Sequence, residues 1–233
     1  LDALLVERLE MRRTVQRLPI FGLGCAGGVI GMARAGALAR AMPGANVVFA
    51  VVELCGLTFR FKDRSKSNVI ATALFGDGAA AAVVNTEMSG PELFAWGEHT
   101  WPDTLEIMGW RIEDDGFGVL FSRDIPNLVR SKMRHAAEQF LADNDLALED
   151  IDEFVCHPGG AKVLTALEEA FGLQSGGLAH GRETLRQYGN MSAATIMFVL
   201  ERSLQHNGAS VARRLMSSLG PGFTAGFLVL DGA

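Results

Sequence analysis

The sequence predicts an α/β fold in which sheets and helices stack in layers. Three observations predict it. Apolar, β-branched runs alternate with segments of helical periodicity in two sheet-forming blocks. A Gly-rich turn carrying a chemically able residue joins strand to helix twice, once around Cys25 and once at His157-Pro158-Gly159-Gly160. A chain of 233 residues that is 48% hydrophobic can fill a substantial core.

Residues 1–13 place Leu4, Leu5, Leu9 and Met11 near helical spacing with charges between them, which predicts a short amphipathic helix leading into an apolar strand at 18–21. The small side chains of 28–42 predict a helix able to pack closely on a sheet, ended by Pro43 and Gly44. Residues 45–53 form a near-continuous apolar run of the kind buried on both faces of a sheet, so strand, turn, helix and strand spell a βαβ unit. The polar stretch 60–68 predicts a loop, 69–74 a helical turn, and 79–84 a strand entered through Phe75-Gly76-Asp77-Gly78. Strands are expected at 92–96 and 105–112, with a hairpin turn at Glu113-Asp114-Asp115-Gly116 returning as 117–121. An amphipathic helix is expected over 125–144, and the acid-punctuated stretch 146–150 marks a candidate domain boundary. A strand at 151–156 and a helix at 161–171 follow. Residues 182–188 predict a helix, 188–192 a break, and 193–205 a long apolar helix. Strands at 209–217 and 223–230 flank the turn Gly220-Pro221-Gly222.

The charge of −6 and the lack of basic blocks interleaved with aromatics argue against a nucleic-acid surface. Cys25, Cys55 and Cys156 are odd in number and widely spaced, with no C-x-x-C pair to hold a metal or a redox disulfide, which suits a reducing cytoplasm. No apolar run approaches the roughly 20 residues of a membrane span. The opening residues carry acids and lack the basic-then-apolar order of a signal peptide.

Cys25 is the candidate nucleophile. A sharp turn would project its sulfur, and the amides at a helix start would favour thiolate over thiol. The same glycines, Gly22, Gly24 and Gly27, also spell the G-x-G-x-x-G of a dinucleotide fold, with Glu53 where a ribose-binding acid would sit. By local physics alone, Cys25 reads first as a small buried residue, His157 as a structural histidine like His99, His135, His180 and His206, and Asn190 as an N-cap. Phe75 then reads as core, and Gly220-Pro221-Gly222 as a turn.

Gly24-Cys25-Ala26-Gly27-Gly28, Leu74-Phe75-Gly76-Asp77-Gly78-Ala79-Ala80-Ala81, His157-Pro158-Gly159-Gly160, Tyr188-Gly189-Asn190-Met191-Ser192 and Gly220-Pro221-Gly222 stand in one order. In that order they resemble the type III polyketide synthases, the chalcone and stilbene synthase family, over nearly the whole chain. Residues 53–59 and 64–68 resemble the bacterial branch, whose members make alkylpyrones, alkylresorcinols or small phenolic rings.

The resemblance implies a thiolase-like layered αβαβα fold, normally a homodimer. Residues 1–88 would be the remainder of a nucleophile-bearing half, and residues 89–233 a second half carrying the histidine and asparagine. It implies Cys25, His157 and Asn190 as the catalytic triad, Phe75 as a gatekeeper, and Val119, Cys55 and Thr58 at pocket positions, with Gly220, Pro221 and Gly222 beside them. No metal or cofactor is expected, acyl-CoA and malonyl-CoA being substrates. Cys25 would carry the acyl chain, with His157 as its imidazolium partner, and His157 and Asn190 would stabilise the enolate left by decarboxylation.

Two departures stand out. Val119 replaces the second gatekeeping phenylalanine of the plant enzymes, and Cys55 replaces a threonine, so an aromatic starter does not follow. Only 24 residues precede Cys25, so the family's front segment, with the basic residues that grip CoA phosphates, is expected to be missing and the N-terminal half incomplete. Two other readings stay open. A ketoacyl carrier-protein synthase of the initiating type is disfavoured because it would show an asparagine soon after the histidine. A non-catalytic fragment could keep the fold without turnover.

Overall fold

The computed structural model describes residues 1–114, 116–207 and 213–232. Helix α1 (Asp2–Arg8) buries none of its side chains. Residues 18–21 do not form the expected strand: Pro19 lacks an N–H, no strand among the described residues pairs with them, and Leu18 and Phe21 are exposed. A 3-10 turn, Gly24–Ala26, then runs directly into α2 (Gly27–Ala41).

Strand β1 (Val47–Glu53), helix α3 (Lys66–Leu74) and strand β2 (Gly78–Val84) follow. Because 18–21 forms no strand, the βαβ reading fails and the dinucleotide reading with it, and β1 pairs antiparallel with β2 in a two-stranded sheet. Only one face of β1 is buried. Phe49 and Val51 pack inward, whereas Val48 and Val52 are exposed, so the run is covered on one side in this chain.

Strands β3 (Glu92–Thr100), β4 (Met108–Glu113) and β5 (Gly116–Phe121) come next. Asp115, in the expected hairpin turn, lies outside the described residues. One continuous helical stretch is made of α4 (Ile125–Leu128), a π turn at Val129–Met133 and α5 (Arg134–Ala142). The remaining elements are β6 (Glu153–Cys156), α6 (Ala161–Phe171), α7 (Ala179–Tyr188), a 3-10 turn at Ser192–Ala194, α8 (Thr195–Asn207), β7 (Arg213–Gly220) and β8 (Thr224–Asp231). The start of the strand expected at 209–217 lies outside the described residues up to position 212.

The main sheet has the order β3-β8-β7-β6, antiparallel except for the parallel β6–β7 pair. Its period-2 alternation feeds two cores. Leu215, Phe227 and Val229 face Met133, Phe140, Leu141, Leu164 and Leu167 of the outer helices. Met216, Leu228 and Leu230 point the other way, onto Val29, Met32, Ile196 and Leu200 of α2 and α8, whose far side meets Val51 and Phe49. The layers therefore run sheet, helices, sheet, helices. Residues 146–150 are no boundary: Leu146 and Leu148 pack on the first core, and β3 and β6 on either side of them belong to one sheet. No helix among the described residues is long and apolar enough to cross a membrane.

Candidate active site

Cys25 sits in the 3-10 turn that opens α2 and is 7% exposed. Its thiol donates to the Ser192 hydroxyl at 3.7 Å. Burial pushes the thiol up to about 11, the Glu53 charge adds to that rise, and hydrogen bonds from Ser192 and Asn190 oppose it. Burial thus works against the thiolate that the helix start was expected to favour.

Asn190 is fully buried and fastened through its backbone. Its N–H donates to the Leu74 carbonyl at 2.8 Å, and its carbonyl accepts from Gly76 N–H at 3.0 Å, a one-residue bridge that sets Phe75 beside it. Gly189 makes this approach possible: its φ is +71°, and a Cβ there would lie 2.7 Å from the Leu74 oxygen. The Asn190 Oδ1 accepts from Ser192 N–H at 2.8 Å, which orients the amide and leaves Nδ2 to donate, in this state to the Gly159 carbonyl at 3.4 Å.

His157 ends β6, where its N–H donates to the Ser217 carbonyl at 2.8 Å. It is 4% exposed, yet neither ring nitrogen has a hydrogen-bond partner among the described residues. Burial depresses its pKa to about 4, so the ring is neutral. Burial disfavours the charged form of each member of the expected imidazolium–thiolate pair, and the Cys25 hydrogen bond goes to Ser192.

Two residues of the site went unassigned by sequence reasoning. Ser192, inside the Tyr188–Ser192 motif, holds a left-handed backbone with φ +48°. Glu53, weighed only as a ribose ligand, ends β1, and its Oε1 accepts from Ala193 N–H at 3.3 Å. Burial raises its pKa against the pull of that N–H and the Ser192 hydroxyl. Only the meeting of β1 with the segment after Asn190 reveals the chain thiol, hydroxyl, carboxylate.

A cavity opens over Cys25. Phe75, Cys55, Thr58, Val119 and Pro221, which the resemblance put at or beside the pocket, line it together with Met108, Gly109, Trp110 and Phe121, which were not singled out. Gly220 and Gly222 are not in the lining. Gly220 lies against Leu23 and Ala26 behind the Cys25 turn, and Gly222 N–H donates to the Met108 carbonyl at 3.2 Å. His157 and Asn190 are also absent from the lining. Burial pushes the Cys55 thiol up to about 12. No group of three or more His, Cys, Asp or Glu side chains among the described residues is placed to hold a metal ion.

Residues 1–88 match the model of the N-terminal domain of chalcone and stilbene synthases, and residues 93–233 match that of the C-terminal domain. The chain is 40% identical over 241 residues to a putative chalcone synthase of Bacillus subtilis (strain 168), covering 99% of this chain and 66% of that protein. It is 39% identical over 245 residues to a 1,3,6,8-tetrahydroxynaphthalene synthase of Streptomyces peucetius subsp. caesius, covering 99% of this chain and 63% of that one. It thus spans slightly under two thirds of the length of either relative. The crystal structure of PKS-I from the brown alga Ectocarpus siliculosus superposes with a TM-score of 0.93 at 27% identity, over 100% of this chain and 64% of that one. The 1,3,6,8-tetrahydroxynaphthalene synthase of Streptomyces coelicolor A3(2), a bacterial type III polyketide synthase, also gives 0.93 at 27% identity, over 99% and 67%. With both domain models matched and the thiolase-like layering in place, the chain belongs to the chalcone and stilbene synthase family of type III polyketide synthases.

Proposed function

We propose that the protein to which this chain belongs condenses malonyl-CoA onto a Cys25-bound acyl starter, with Cys25, His157 and Asn190 as its catalytic residues. The observation that carries the reading is His157: a buried ring with two unpartnered nitrogens is costly unless a ligand completes it, which is the mark of a working site.

Burial disfavours a lone thiolate and a lone imidazolium alike. Moving one proton from Cys25 to His157 makes two opposite charges together, and their attraction offsets that cost. The sulfur attacks the starter thioester, the acyl–S bond to CoA breaks, and CoA leaves as its thiol once protonated. In the extension step malonyl-CoA loses CO₂, and the electron pair passes to the thioester oxygen as an enolate. The Asn190 Nδ2 and a protonated His157 nitrogen supply donors there. The enolate carbon then attacks the Cys25 thioester and frees the sulfur.

The substrates in this reading are acyl-CoA and malonyl-CoA with no further cofactor, the assembly a homodimer, and the compartment a reducing cytoplasm. Residues 1–88 contribute the nucleophile and 89–233 the histidine and asparagine. Gly159 and Gly160 after Pro158 disfavour an initiating carrier-protein synthase. The test is to incubate the full-length protein with malonyl-CoA and a panel of acyl-CoA starters and read products by mass spectrometry. Absence of both CO₂ release and condensed products would sink the reading and leave the non-catalytic alternative.

A further inference from the structure

The cavity over Cys25 has two walls that come from separate parts of the chain. One is the 3-10 turn Cys55–Thr58; the other is the β4–β5 hairpin, with Gly109, Trp110 and Val119. Arg60 spans them. Its Nη2 donates to Glu113 Oε2 on the hairpin at 2.6 Å, and its Nη1 donates to Asp63 Oδ2 in its own loop at 3.3 Å. The Arg60 side chain is 13% exposed and that of Glu113 33%, so the bridge is shielded from water at its arginine end.

The loop end of this bridge is firmly held. Asn68 Nδ2 donates to the carbonyls of Arg60 at 3.0 Å and Asp63 at 2.8 Å, and Asp63 Oδ1 accepts from Ser65 N–H at 2.8 Å. The Ser65 hydroxyl in turn caps α3 by accepting from Asn68 N–H. At the hairpin end, Gly118 lies against the pair: a Cβ there would come within 2.9 Å of Glu113 Oε1 and 3.1 Å of Arg60 Nη1 and would push the ends of those side chains aside. The next residue, Val119, lines both the cavity over Cys25 and the polar groove that holds Arg60 and Glu113. A shift of the ion pair therefore reaches the cavity wall through one residue.

We propose that Arg60 is a positioning residue that sets the width of the acyl cavity by tying its two walls together, and so selects among starter chains. This rests on the reading of the cavity as an acyl pocket. The test compares full-length wild type with Arg60→Gln, Arg60→Lys, Glu113→Gln, Arg60→Gln/Glu113→Gln and Gly118→Ala. Each is assayed for KM and kcat with straight-chain acyl-CoA starters of increasing length and, separately, for malonyl-CoA decarboxylation, with melting temperature recorded. The expected result is a shift of about tenfold in relative kcat/KM toward longer chains for Arg60→Gln and Glu113→Gln, carried by KM for the starter. The double variant should shift no further than either single one. Arg60→Lys should recover part of the preference, and Gly118→Ala should move it without removing either charge. Folded variants with unchanged chain-length preference would overturn the proposal, as would equal losses in decarboxylation and in the use of every starter. A wild type that neither decarboxylates nor condenses would instead bring down the functional reading, and this proposal with it.

Discussion

The Cys25 thiol reaches the Ser192 hydroxyl at 3.7 Å although Ser192 must hold a left-handed backbone to present it. A non-glycine residue at φ +48° carries a cost on the order of 1 kcal/mol, retained here beside the nucleophile and the Glu53 carboxylate. Ser192→Ala and Ser192→Gly should both slow alkylation of Cys25, since both remove a group that lowers the thiol's pKa. Ser192→Gly should melt a few degrees above Ser192→Ala because it relieves the backbone. Thermal melts with timed iodoacetamide labelling check this, and equal melting temperatures would remove the strain from the argument.

Labelling against pH should separate the resting states of the site. With Cys25 near 11, its thiolate fraction at pH 8 is roughly one in a thousand, and the alkylation rate should climb about tenfold per pH unit from 7 to 10. Cys25 should still react before Cys55 and Cys156, both pushed to about 12 by burial. A plateau below pH 8 would show that the imidazolium–thiolate pair exists before substrate arrives.

The same burial makes stability depend on pH in two windows. His157 is depressed to about 4 from 6.5, so its contribution is present above 6.5 and is lost as pH falls toward 4. The shift corresponds to on the order of 3 kcal/mol. The three thiols are raised above 9.0, so their contribution is present below 9 and is lost as pH rises through 11 to 12. Urea midpoints at pH 4.5, 7.5 and 10.5 should be highest at 7.5. If His157→Gln were to abolish no part of the acid-side drop, the assignment to His157 would be wrong.

In the full-length protein, Cys25→Ala should abolish condensation yet leave measurable malonyl-CoA decarboxylation. Asn190→Ala should depress decarboxylation itself by on the order of a hundredfold, the usual effect of losing one oxyanion donor. Carbon dioxide release and product formation, measured in parallel on protein shown to be folded, give the answer. The opposite pattern would exchange the two roles.

Val119→Phe should move starter preference toward shorter or narrower chains without stopping turnover. Apolar contacts discriminate by only about 1–3 kcal/mol per methylene-sized difference, so the change should be graded. A product profile identical to wild type would place Val119 outside the working pocket, despite its position in the cavity lining.

What the sequence made legible was local. Residues 161–171 carry their own helical periodicity and form α6 at the expected bounds, and the apolar run at 78–84 is β2 to within a residue. Both faces of β1 looked buried because an apolar run says nothing about whether a second layer is there to cover it. α3 begins three residues before its expected start because the Ser65 cap sits among polar residues that read as loop. Cys25, His157 and Asn190 were singled out through motifs, but Glu53 and Ser192 were not assigned. Their significance comes from contacts across the fold, such as Glu53 with Ala193, 140 residues away in sequence.

The separation of 167 positions between Cys25 and Ser192 also sets a clock. A ribosome adding about 5–20 residues per second needs on the order of ten to thirty seconds to deliver the hydroxyl that meets the sulfur, and with it the segment that shields it. Throughout that interval the Cys25 thiol is without its Ser192 partner. In the proposed mechanism that sulfur is the nucleophile, so the atom synthesised long before its partner is the one the chemistry would use.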